Sequence, residues 1–111
     1  MPKRTPEGQV LYDVVNYLDE IGVFWIRLNT GGQYRKTKNG WQYVPSPYTK
    51  LGTPDLICFP QGQPVWLEFK RPKGGRLSPD QIFMKKRIED NAMEWYCIRT
   101  LDEVKDLGFK P

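Results

Sequence analysis

The sequence predicts one α/β domain, a mixed β-sheet flanked by helices, and three observations predict it. An apolar stripe at helical spacing runs through Val10, Leu11, Val14, Leu18 and Ile21. Two short apolar runs, 55–59 and 65–70, lie on either side of a Pro- and Gly-rich turn. A capped second helix then leads into another apolar run at 95–99, so strands and helices alternate around one sheet. With 111 residues, 1–111 is expected to form a single domain, without linkers or internal repeats.

Taken in order, Thr5-Pro6-Glu7 reads as a helix start: an N-cap, a proline at the first helical position and an acid in the first turn. Gly22 ends that helix. Residues 23–28, rich in β-branched and aromatic side chains, read as a strand. From 29 to 53 the pattern becomes irregular, apart from the Asn39-Gly40 turn and a short strand at 41–44. Pro60-Gln61-Gly62-Gln63-Pro64 joins the next two strands as a hairpin. Ser78 and Gln81 have the spacing of a capping box, opening a helix that runs to about Asn91. After the strand at 95–99, Thr100 caps a short helix that ends before Gly108.

Composition removes several chemistries. The chain has no histidine, which excludes Ser-His and Cys-His nucleophilic catalysis and the HExxH metalloproteases. Cys58 and Cys97 are far apart without zinc-ligand spacing, so both are expected as free thiols. Hydrolysis would have to run on carboxylates, lysine and a metal with oxygen ligands. The net charge is +4, with basic clusters at 35–38, 70–73 and 85–87 interleaved with Tyr34, Trp41, Tyr43 and Tyr48. Each cluster alone is compatible with a solvated face; together they point to nucleic acid. No apolar run approaches the ~20 residues of a membrane span, and the first residues lack a secretory h-region. A cytoplasmic protein of a bacterial or phage-infected cell, with no membrane partner, is the expectation.

Alternation along 65–70 puts Trp66, Glu68 and Lys70 on one strand face. An isolated Glu-x-Lys is commonly an edge-strand ion pair. Asp55 changes that reading, because counting back symmetrically from the turn pairs it with Phe69 and gathers the three polar groups at one end of the hairpin. A one-residue shift of register, or a bulge, decides which face Asp55 takes. Two carboxylates this close call for a cation, and oxygen-only ligands suit Mg²⁺ or Mn²⁺. Glu7 shares the first helix's apolar stripe, so it either complements the helix dipole or serves as a third acid. Gln81 either completes the capping box or, on a face with Met84, Ile88 and Ala92, aims at the sheet.

Gly52-Thr53-Pro54-Asp55, Trp66-Leu67-Glu68-Phe69-Lys70-Arg71-Pro72 and Gly75-Arg76-Leu77-Ser78-Pro79-Asp80-Gln81, in that order, resemble the VRR-NUC family, the virus-type replication-repair branch of the PD-(D/E)XK nucleases. The resemblance implies a restriction-endonuclease-like core and a metal held by Asp55, Glu68 and the main-chain carbonyl of Phe69. Lys70 would orient the attacking water, Gln81 would be the family's helix glutamine, and Glu7 the N-terminal acid. Small stand-alone relatives resemble Holliday junction resolvases acting as homodimers. The implied function is therefore Mg²⁺-dependent cleavage of branched DNA, four-way junctions first. A flap, nick or linear-duplex nuclease and a non-catalytic DNA-binding module are the alternatives. DNA contacts are expected from Arg27, Asn29, Arg35, Lys36, Lys38, Lys50, Arg71, Lys73 and Arg76.

Overall fold

A computed structural model describes residues 4–28, 33–44 and 50–111. Helix α1 (Pro6–Ile21) starts where Thr5 Oγ1 accepts the Gly8 amide, and it buries Val10, Val14 and Leu18. Gly22, in the left-handed region at φ 78°, closes it, and the Val23 amide donates to the Leu18 carbonyl. That cap holds back the next strand, so β1 (Trp25–Arg27) is shorter than the expected 23–28.

The region 33–44 is more regular than its composition suggests. β2 (Gln33–Thr37) and β3 (Gly40–Val44) form a separate antiparallel hairpin whose two turn residues are Lys38 and Asn39, one position before the expected Asn39-Gly40, with Gly40 opening β3. Its turn is held by Thr37 Oγ1, which donates to the Gly40 carbonyl and accepts the Asn39 amide. β2 lacks the apolar alternation that marks a half-buried strand, which is why periodicity does not reveal it.

The main sheet holds β1, β4 (Leu56–Cys58), β5 (Val65–Phe69) and β6 (Glu94–Ile98) in the order β1-β4-β5-β6. Its first three strands are antiparallel neighbours, while β5 and β6 run parallel. Between these two lies α2 (Pro79–Asp90), the crossover that parallel pairing requires. α3 (Leu101–Asp106) follows β6 and packs beside α1. The core lies between α1 and the sheet and contains Val14, Leu18, Leu56, Val65, Leu67 and Phe69. Ala92, expected on the face of α2, lies past that helix at φ 61° and is exposed. Cys58 is buried and Cys97 half-buried; both are free thiols. Among the described residues no helix is long and apolar enough to cross a membrane.

Candidate active site

The β4–β5 register differs by one residue from the symmetric count. Leu56 faces Leu67 and Cys58 faces Val65, so continuing the ladder sets Asp55 opposite Glu68 rather than Phe69. The turn causes the shift: Pro60–Gly62 forms a 3₁₀ turn with Gln61 and Gly62 both at positive φ, and the Gln61 amide donates to the Lys110 carbonyl. Asp55 is anchored at the end of the hairpin, where its Oδ2 accepts the Phe69 amide at 2.8 Å.

Glu68 is the only buried charged residue among those described, at 3% exposure. The Gln81 side-chain amide donates to its Oε1 at 2.9 Å, while Oε2 is buried with no partner among the described residues. An unsatisfied buried carboxylate oxygen is costly, so it marks a place where a cation or proton belongs. Burial, followed by the nearby negative charge of Asp55, pushes the Glu68 carboxyl up to about 8, although Lys70 opposes the shift. One carboxylate oxygen from each of Glu7, Asp55 and Glu68 lies within 4.8 Å of the other two. The three acids come from the first turn of α1, the residue just before β4 and the body of β5. Glu7 thus joins the acid pair, while Thr5 serves as the cap.

Gln81 meets both expectations at once. Its Oε1 accepts the Ser78 amide, completing the capping box, and its Nε2 reaches Glu68. Gly52 makes this reach possible. Its φ is 80°, and a Cβ there would lie 2.1 Å from the Asp80 carbonyl oxygen and 2.8 Å from the Gln81 amide nitrogen. Only glycine lets the chain before Asp55 pass so close to the first turn of α2.

Lys70 continues the β5 ladder, donating its amide to the Ile98 carbonyl. The loop after it folds back: a Cβ on Gly75 would lie 3.4 Å from the Lys70 Cβ. Arg99 holds this loop, donating to the carbonyls of Arg71 at 3.0 Å and Gly75 at 2.5 Å. Neither spacing nor motif marks Arg99, since its partners lie 28 and 24 residues earlier.

A cleft of about 280 Å³ opens beside the acids, lined by Thr5, Glu7, Gly8, Leu11, Arg27, Asp55 and Phe69. Arg27 is therefore a neighbour of the site. Lys36, Lys38, Lys50, Arg71, Lys73 and Arg76 are exposed. Asn29 and the side chain of Arg35 lie outside the described residues. The cluster at 85–87 is engaged locally: Lys85 pairs with Glu89, Lys86 with Asp90, and Arg87 lies over the Phe83 ring.

The fold is mixed α/β, a four-stranded mixed sheet flanked by helices, with clustered acids at one end of its central hairpin. Among solved structures, that of a VRR_NUC domain is similar, with a TM-score of 0.67 and 19% sequence identity over 94% of this chain and 95% of the other. At that identity the likeness is one of fold. No family model matches the chain, and no curated protein matches it.

Proposed function

We propose that the protein is a divalent-metal-dependent DNA endonuclease. The observation that carries this reading is the convergence of Glu7, Asp55 and Glu68 oxygens within 4.8 Å of one another, with Glu68 Oε2 buried and unpartnered among the described residues. Glu7, Asp55, Glu68 and the Phe69 main-chain carbonyl would hold the cation, Mg²⁺ with Mn²⁺ as a substitute, because the donors are all oxygen. When bound, such a cation polarises a phosphoryl oxygen and offsets the charge that develops on phosphorus.

The chain's own residues supply the rest. The Phe69 amide orients Asp55, and Gln81 orients Glu68. Lys70, two residues beyond Glu68 on the same strand face, positions the attacking water and stabilises charge on the phosphate. Arg27 on the cleft wall would meet a phosphate oxygen. Attack of water on phosphorus breaks the bond to the 3′ oxygen and leaves a 5′ phosphate. The proposed substrate is branched DNA, four-way junctions first, cut by a homodimer; this part rests on the motif resemblance alone.

The test is a cleavage assay on labelled four-way, flap, nicked and linear DNA with Mg²⁺, Mn²⁺ or EDTA. The expected result is paired symmetric cuts on the junction, lost in EDTA and in Glu68→Ala. Cleavage by Lys70→Ala at the wild-type rate would refute the mechanism. Cuts on flaps or linear duplex alone would keep the chemistry and overturn the substrate, and a monomer in sedimentation would remove the paired-cut arrangement.

A further inference from the structure

Next to the acidic cleft lies a second cavity of about 320 Å³, between α1 and the edge strand β1. The two cavities share Gly8, Leu11 and Arg27 as lining residues, so they adjoin along that wall, while Glu7 and Asp55 line only the first. Beyond the shared residues the second cavity is lined by Tyr12, Val15 and Trp25, with Arg4 at its rim. Its walls are aromatic and aliphatic, while its charged groups are both guanidinium.

Each wall is fixed in place. The Trp25 indole N–H donates to Asp19 Oδ1 at 2.7 Å, which holds the ring. On the helix side, Tyr12 is 43% exposed and the Arg4 guanidinium carbon lies 3.6 Å from its ring centroid, a cation–π contact. An exposed aromatic in a cavity with two cations suits a flat, uncharged π-system attached to an anionic backbone. A volume near the lower end of the ~300–1,000 Å³ range for ligand pockets matches one nucleotide-sized group.

We propose that this cavity receives one unpaired nucleobase of the strand whose phosphate lies at the acidic cleft, with Arg27 bridging the two subsites. The inference rests on the nuclease reading for the phosphate's position, while the pocket's own chemistry specifies the base. A base leaves the duplex at least cost where it is already unpaired, so the pocket favours strands at a branch or end over continuous duplex. It gives this small domain a way to select structure without reading sequence.

The test places 2-aminopurine, whose emission falls on stacking, at successive unpaired positions near the branch of a forked DNA. Binding is titrated in EDTA and in Ca²⁺. One position is expected to be quenched on binding. Tyr12→Ala should abolish that quench and weaken binding on the order of tenfold, while Tyr12→Phe should retain both. No quenched position, or a quench unchanged in Tyr12→Ala, overturns the pocket. Cleavage is measured separately with Mn²⁺. Absent cleavage with an intact, Tyr12-dependent quench would overturn the nuclease reading and leave the base pocket standing.

Discussion

Helices α1 and α2 both bring a side chain to the acidic site, and they are held there by different forces. α1 lays Val10, Val14 and Leu18 into the core, so Glu7 extends from an element fixed by apolar burial. α2 buries only Ile88 and leaves Ile82 and Phe83 exposed. Its first turn is positioned by the Ser78–Gln81 capping box, the Gln81–Glu68 hydrogen bond and the close approach of Gly52. The first helix is an apolar anchor that carries an acid; the second is a polar bracket that orients one. Stability and site geometry should therefore be separable in α2 and inseparable in α1.

The largest expected effect is on the anchor. Leu18→Ala, at a fully buried position, should lower stability by about 2–5 kcal/mol in denaturant titration, and activity should fall with the folded fraction. Gly52→Ala attacks the bracket. The required shift of α2's first turn should destabilise by about 2–3 kcal/mol and weaken Mn²⁺ binding in calorimetry. Wild-type metal affinity in that variant would show that Gly52 does not set the position of Gln81.

Gln81→Ala should sharpen the contrast, lowering metal affinity about 10–100-fold while changing stability by only about 1 kcal/mol. A comparable loss of both would mean that α2 is anchored like α1. The next effect is one of pH. The Glu68 carboxyl is raised from 4.5 to about 8 in the folded chain. Without divalent cation the native state therefore holds more protons than the unfolded state between these values, and stability falls as pH rises through them. A melting temperature lower at pH 8.5 than at pH 5, by on the order of 10 °C or more, is expected in EDTA. Mn²⁺ should offset the loss at high pH, and Glu68→Gln should flatten the dependence. The smallest effect belongs to the outer face of α2: Lys86→Ala should change stability by less than about 0.5 kcal/mol and leave DNA affinity unaltered.

Local signals carried most of the architecture. Thr5, Gly22, Ser78 and Thr100 mark their helix ends because caps are short-range chemistry. The acids Asp55 and Glu68 were legible because charged residues stand out in apolar strands. Their relative register was not, because it depends on how many residues the 3₁₀ turn consumes, and Lys110 helps set that from the far end of the chain. Arg99 was invisible for the same reason. Its function is to hold two carbonyls in a distant loop, and arginine near a strand end has no periodic signature. The role of Gly52 appears only when α2 is seen packed against it.

The mixed sheet also sets the order in which the site assembles. β4 and β5 are joined by a short turn, so Asp55 and Glu68 become neighbours in a fast local closure, whereas Glu7 and the β6 partner of β5 must arrive from much farther along the chain. The folding chain thus confronts its two repelling carboxylates before the third acid, Glu7, is in place. A cation or a proton that relieves this repulsion should speed folding itself, so the charge that equips the site for phosphate chemistry should also slow the formation of the fold.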